Sequence, residues 1–400
     1  MPFSVADFIR HHDAGRLPAI LPLRYQRLRA SAFAFFRGTA PLYYHRFAAD
    51  AVLHASPTAW LCGDAHVENF GSYRADNGLV YFDLNDFDEA VRGPVLWDVG
   101  RLAVSVVLAA AEWGIHPAER ALLVCELLAT YAAALAVGKA YWVERTTATG
   151  VVGQLLHATT HRGPRALLHG RAVEEEGWHF CAGPTLQLLA APERPAVWEA
   201  VRAWHQATTR PPCGRLLDVA QRVAGIGSLG VRRYAVLAEH RHPQRHPLPG
   251  LLDFKQAIPA AAAGAGIAQP GWATEAQRVV QAQTWLQAVP PALLQAVTLQ
   301  GQPFVLRALQ PVADHLAFGP LPQRKRSLRA ALPTFARLLA WAHLRAAGHS
   351  GAAGPDALLA FGQAHAGWRT AVLGFALRAA DQVRADYDAF LPVAGQLGNG

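Results

Sequence analysis

Lysine is nearly missing from this 400-residue chain: Lys139, Lys255 and Lys325 stand against thirty-four arginines. A lysine inside an apolar run such as Leu251-Leu252-Asp253-Phe254-Lys255 therefore marks a place where a compact ammonium is required, although a strand-edge lysine reaching out to water leaves the same pattern. Cysteine is also sparse. Cys62, Cys125, Cys181 and Cys213 are scattered without metal-ligand spacing, which argues against a zinc ribbon or a disulfide framework and fits reduced thiols. No apolar run is both long and free of charge: Leu102 to Ala111 is short and Ala121 to Val137 is broken by Glu126, so both are expected as buried helices and no membrane span is expected. Met1 to His12 carries Asp7 and lacks an apolar signal core, so no secretion signal is expected and the location expected is cytoplasmic. Low-complexity tracts and internal repeats are absent, and the Pro/Gly-rich segments His240 to Gly250 and Ala347 to Pro355 read as surface loops.

What is present is apolar and basic. A hydrophobic content of 52% is ample for a large core in two lobes. The formal charge of +8 suits an anionic partner such as ATP or a phosphorylated substrate, while arginine in place of lysine with abundant alanine is equally what a GC-rich coding sequence yields. Arg324-Lys325-Arg326 with Arg329 is the one dense basic cluster, and no aromatics are interleaved with it, so nucleic acid is not expected as a partner.

The chemistry concentrates between Cys62 and Glu89. Gly63, Asp64, His66 and Asn69 are followed by two apolar runs, Phe70 to Tyr73 and Leu79 to Leu84, separated by Asp76-Asn77-Gly78. That triplet suits the positive φ of a tight hairpin turn, so the runs are expected to pair. Pairing brings their outer ends together, and Asn69 then faces the Asp83/Asp86 region with Asp64 on the loop ahead. Asp, Asn and Asp in this order supply what a magnesium-dependent phosphotransferase needs: hard oxygen ligands for Mg²⁺, a carboxylate near the incoming hydroxyl, and positioning. Asp83 and Asp86 are alternative principal ligands. The crowded carboxylates Asp83, Asp86, Asp88 and Glu89 repel one another without a cation. Ordinary turns also collect Asp and Asn for local hydrogen-bonding reasons.

A second candidate element lies far downstream. Gly225, Gly227, Ser228 and Gly230 form a glycine-rich turn between the runs ending at Val223 and Leu237, and Lys255 follows on a third strand. Such glycines let backbone N–H groups approach phosphate oxygens. A dinucleotide-binding reading requires a helix directly after the glycines, whereas Arg232 to Leu237 reads as strand. Thr274 to Ala288 reads as a helix, with Glu275 its one acid and Gln277, Gln281 and Gln283 more central. Gln302 to Leu309 reads as a last strand leading into a hinge at Gln310 to Ala313.

Gly63, Asp64, His66, Asn69, Asp86, Phe87, Ala90, Gly93, Pro94 and Asp98 resemble the catalytic and metal-binding segment of aminoglycoside and choline kinases, with its pattern Gly-Asp-x-His-x-x-Asn, Asp-Phe/Trp-x-x-Ala, Gly-x-Pro and a structural Asp. The resemblance implies that Asp64 orients or deprotonates an acceptor hydroxyl, His66 holds the loop, Asn69 and Asp86 hold Mg²⁺, and Asp98 braces the loop. It further implies that the Gly225 to Gly230 turn covers the phosphates of ATP, that Lys255 reaches them, and that a helix glutamate, here Glu275, pairs with that lysine. In such kinases the cradle and lysine come first. Here they come second, and Arg337 to Leu344, with His343, resembles the helix that normally leads into the catalytic loop.

The expected fold is therefore α+β: a protein-kinase-like, two-lobed, circularly permuted arrangement with a largely helical large lobe and a small antiparallel-sheet lobe. Residues 1–214 would carry the catalytic loop, 215–312 the small lobe, and 313–400 the helices completing the large lobe. Over nearly the whole chain the arrangement also resembles a bacterial family, domain of unknown function 2252. The resemblance is carried by Phe35-Phe36-Arg37-Gly38, Gly63 to Gly71, Phe82 to Glu89, the glycine-rich turn, Ala380-Asp381-Gln382 and Asp386-Tyr387.

The expected activity is ATP- and Mg²⁺-dependent transfer to a small-molecule or protein hydroxyl, contacted by Leu102 to Trp142 and Leu328 to Phe390. The alternative is a nucleotide-binding regulatory pseudokinase. A glutamine at position 281, where an acid is expected, and an Ala260 to Ala268 stretch expected to be slack, both point toward the alternative. A metallophosphoesterase would need an Asp-x-His ahead of Gly63-Asp64 and an Asn-His pair after it, and the chain has neither. Arg37, anchored by Phe33, Phe35 and Phe36, is expected to grip a phosphate or substrate carboxylate, or else to pair with Asp98 or a loop carboxylate.

Overall fold

The computed structural model describes residues 3–241, 248–316 and 318–397; Met1 and Pro2 of the N-terminal segment, and 242–247 of the expected His240 to Gly250 loop, lie outside these. The architecture is mixed α and β with antiparallel sheets. Its helical part is centred on Val95–Glu112, which begins directly after Pro94 and is apolar on nearly every side, the signature of a helix enclosed by others. Pro117–Val137 runs back beside it, and Leu321–Arg345, Pro355–Gln363 and His365–Phe390 close around the pair. Pro117–Val137 is the one helix among the described residues long and apolar enough to cross a membrane by length and composition. Leu123, Val124, Leu127, Leu128 and Tyr131 account for much of that apolarity, and all five are buried against the neighbouring helices. N-terminal helices complete this part: Phe35 packs on Tyr387 and Phe390, and Arg46 forms a forked pair with Asp386.

The hairpin forms as its turn chemistry requires. Phe70–Arg74 pairs with Val80–Leu84, with Gly71 opposite Asp83, and Gly78 takes φ +80° in the turn. A side chain at Gly78 would meet open space, so Gly78→Ala is expected to cost only the left-handed backbone penalty, about 1 kcal/mol, read as a lowered midpoint in urea at unchanged slope.

The main sheet has six antiparallel strands in the order Gln295–Leu299, Gln302–Ala308, Gly250–Gln256, Arg233–Ala238, Leu216–Arg222 and Leu186–Gln187. Its outer face, with Val219, Val236, Leu252, Phe254 and Leu306, is covered by Val197 and Val201 of helix Glu193–Ala207. The boundary expected at 214/215 thus falls inside this unit, because the outer face of an amphipathic sheet needs a cover and the preceding helix supplies it. On the inner face, Arg222, Arg233 and Lys255 lie in one row across three strands, with Asp253 and Arg307 in the next. The Ala260 to Ala268 stretch is not slack: Ala262 is fully buried, the Ala261 N–H donates to Glu89, and the Ala268 carbonyl accepts from Arg92.

Candidate active site

The loop between Leu61 and Phe70 is fixed from below by one buried carboxylate. Asp98, in the first turn of Val95–Glu112, accepts from the backbone N–H groups of Cys62 and Gly63 at 2.9 and 3.0 Å. His343 Nε2 stands 3.4 Å from the same carboxylate, and its Nδ1 lies 2.8 Å from the Tyr131 hydroxyl. Gly63 has φ +78°, and a Cβ there would overlap the Glu89 carbonyl, so the loop and the carboxylate turn are in direct backbone contact.

Asp64 is held by a residue that its motif does not contain. Arg101, one helical turn beyond Asp98, donates from Nε at 2.6 Å and stands with Nη2 at 2.5 Å from Asp64 Oδ1, while its guanidinium lies over the Phe36 and Tyr43 rings. Asp64 keeps 18% of its side chain exposed and Arg101 none. Burial raises the Asp64 pKa above its ordinary value against the opposing pull of Arg101. His66 Nδ1 accepts the Glu68 N–H at 3.2 Å, and its Nε2 is 3.8 Å from Asp64. Burial, reinforced by Arg37 and Arg101, pulls His66 well below its ordinary pKa, so a neutral ring with its proton on Nε2 ties down the loop. Asn69 is similarly committed. Its Oδ1 accepts the Asp86 N–H at 2.9 Å and its Nδ2 donates to the carbonyls of Asp64 and Asp86, stitching the loop to the hairpin exit.

The four crowded carboxylates are separated rather than pooled. Asp83 turns away: it accepts from the Leu84 and Ala288 N–H groups and meets Arg345 at 3.2 Å, so of the two alternatives only Asp86 faces the loop. Asp86 and Asp88 both grip Lys255, whose Nζ lies 3.1 Å from Asp86 Oδ2. Desolvation by the surrounding protein opposes ionisation of Asp86 although nearly half of its side chain is exposed, and Lys255 outweighs it and holds the carboxyl well below the usual range. Burial and the charge of Asp86 push Asp88 up. Burial lifts Glu89 to about 7 despite its bond from the Ala261 N–H. Among the described residues no group of three or more His, Cys, Asp or Glu side chains is arranged to hold a metal ion; the cation already among these carboxylates is the Lys255 ammonium.

Glu275 does not reach Lys255. It pairs with Arg278 at 2.6 Å, and Arg278 donates to the carbonyls of Asp88, Ala90 and Ile258, so this helix fixes the carboxylate turn through its backbone. Gln283 bonds Gln287, which caps the Leu84 carbonyl. The lysine's partners lie instead on the hairpin exit. Arg278, like Arg101, was invisible in the chain because arginines are everywhere in it and neither sits inside a motif.

Above these groups runs the glycine-rich turn, with Gly225 and Gly230 at φ +78° and +85°. Ser228 Oγ donates back to the Ala224 carbonyl. The turn is anchored from the N-terminal helices: Arg24 donates to the Ile226 carbonyl at 2.8 Å, Arg16 to that of Leu229, and the Leu17 N–H to Gly230. Arg37 pairs with the loop carboxylate Glu68 and lies 5.6 Å from the Phe33 ring centre, leaving its buried Nε without a hydrogen-bond partner. A cavity of about 100 Å³ under the turn touches Asp64, Asn69, Asp86 and Asp88, and a larger one of about 330 Å³ opens beside it, sharing Arg37, Asp86 and Gly225. A third space of about 530 Å³ also touches Gln310 but contains none of the loop carboxylates.

No curated protein and no solved structure matches the chain. The family model described as an uncharacterized protein conserved in bacteria (DUF2252) matches residues 16–392, and the chain belongs to that family.

Proposed function

We propose that the chain is an ATP- and Mg²⁺-dependent phosphotransferase acting on a hydroxyl acceptor, built on a protein-kinase-like fold whose catalytic loop precedes its phosphate cradle. The observation that carries this reading is the meeting of Lys255 with Asp86 and Asp88 beneath the Gly225 to Gly230 turn, with Asp64 on the same small cavity. Phosphoryl transfer asks for positioning and charge stabilisation more than for covalent chemistry. Lys255 would turn from the carboxylates to the donor's phosphates, and the backbone of the turn would cover them. Mg²⁺, which binds through one or two carboxylates plus phosphate oxygens, would be held by Asp86 with the remaining lone pair of Asn69 Oδ1, and would neutralise charge on the phosphates. Asp86 suits that role because its side chain is 47% exposed. Asp64 would take the acceptor's proton as the acceptor oxygen bonds the terminal phosphorus and ADP departs.

Calorimetric titration with ATP, with and without Mg²⁺, tests the reading: magnesium-dependent binding is expected, and no binding under either condition removes it. Lys255→Ala is expected to weaken ATP about 10- to 100-fold, the worth of one charge-assisted contact. A second reading, nucleotide binding without transfer, is favoured by one observation: the Asp64 oxygen nearest Arg101 is already engaged. Binding without turnover across hydroxyl acceptors would select it.

A further inference from the structure

The apolar end of the inner face of the six-stranded sheet, with Leu251 and Leu309, lines the space of about 530 Å³ together with Leu167 and Leu168. The end nearer the loop carboxylates is cationic. Arg27, Arg37, Arg222, Arg233 and Arg307 line the 330 Å³ cavity, against Glu68 and Asp86 as its acids. Behind it, Asp253 is shared by Arg222, Arg233 and Arg307, at 2.7, 2.5 and 3.7 Å. Burial and the neighbouring Arg233 pull Arg222 down to about 9, a guanidinium short of negative charge.

One polar side chain in this lining has neither of its polar atoms hydrogen-bonded. Asn85 is 4% exposed, and neither its Nδ2 nor its Oδ1 has a hydrogen-bond partner. Leaving a buried amide unpaired is costly. The chain makes room for it: a Cβ on Gly71 would overlap Asn85 Nδ2. Arg37 Nε is likewise buried and unbonded on the same cavity.

We infer that this cleft binds its ligand chiefly through a polyphosphate chain, so that inorganic tripolyphosphate is itself a ligand. Forked guanidinium groups match phosphate oxygens in pairs, and the Asn85 amide supplies a further donor. The inference rests on the cleft being the donor site of the proposed phosphotransferase.

The full chain would be titrated with tripolyphosphate, ATP and GTP, each with Mg²⁺. ATP and GTP are expected within about threefold of one another and tripolyphosphate within about tenfold of ATP. Asn85→Ala, which breaks no internal side-chain bond, is expected to weaken tripolyphosphate about tenfold, as one charge-assisted contact is lost, without lowering the melting temperature. Arg326→Ala, at the exposed end of the basic cluster, is expected to leave binding unchanged. ATP bound with tripolyphosphate excluded, GTP more than thirtyfold weaker than ATP, or Asn85→Ala binding as the parent protein does, each overturns the inference while the phosphotransferase reading stands. Tripolyphosphate bound through Asn85 with no transfer to any acceptor keeps the inference and removes that reading. Absence of binding by all three ligands removes both.

Discussion

Replacing Asp64 with Asn is expected to lower phosphoryl transfer about a thousandfold while changing ATP affinity by less than about threefold. A positioned proton acceptor is worth about 10²–10⁴ in rate, and Asn cannot take a proton. The geometry sharpens the effect. Arg101 donates to one side of Asp64, so an Asn at this position turns its carbonyl oxygen to Arg101 and presents its NH₂ to the acceptor, replacing a proton acceptor with a donor. Lys255 and the glycine-rich turn are untouched, so ATP still binds. Because Arg101 is fully buried, the variant also weakens a charge partner, and rates are compared only where its circular dichroism matches the parent. Full transfer by Asp64→Asn would mean that Asp64 serves as the counter-ion of Arg101 alone, and the mechanism would be wrong.

Asp253→Ala is expected to be the most damaging single change for stability, by about 3–5 kcal/mol, the cost of stranding buried charge by removing its partner. Asp253 has no exposed surface and carries a forked pair from Arg233 plus Arg222 and Arg307. Burial alone would raise its pKa, but Arg222 and Arg233 outweigh that and hold it far below the usual carboxylate range. Three guanidinium groups without a counter-ion would split the sheet's central strands. A loss of this size is a large share of an ordinary domain's stability, and would appear as a much lower urea midpoint. If tripolyphosphate occupies the adjoining cavity, adding it raises the variant's melting temperature more than the parent's. A midpoint within 1 kcal/mol of the parent would show that the arginines do not depend on Asp253.

The hairpin and the strand bearing Lys255 were legible because their cues are local: a turn triplet between two apolar runs, and a lone lysine in a short alternating stretch. The carboxylate turn was legible as a crowd but not in its division of labour. Asp83 lies within a paired strand, so the pleat commits its side chain to one face, whereas Asp86 follows the strand's end and is free to face Asn69. The partner of Lys255 was misplaced onto Glu275 because the kinase-like pattern puts an acid on that helix, while here Arg278 takes Glu275. Arg101, Arg278 and the arginines around Asp253 carry no positional signal. Apart from Arg278 with Glu275, their contacts join residues 20 to 190 positions apart, and in so arginine-rich a chain no single one stands out. The helix covering the outer sheet face was missed because amphipathic periodicity tells that a face is buried but not against what.

A ribosome delivers this chain in one direction, and the brace under the loop is assembled from both ends of it. Asp98 leaves the exit tunnel well ahead of His343, its neighbour 245 positions later, and the helices that keep water from that carboxylate arrive with it. The nascent first half therefore holds Asp64, Asn69 and Asp86 with Arg101 and Asp98, but without the His343 brace beneath them. A chain cut short by a premature stop codon before Leu321–Arg345 keeps every loop carboxylate and loses the site, so for this gene late nonsense mutations are expected to be as silent in activity as early ones.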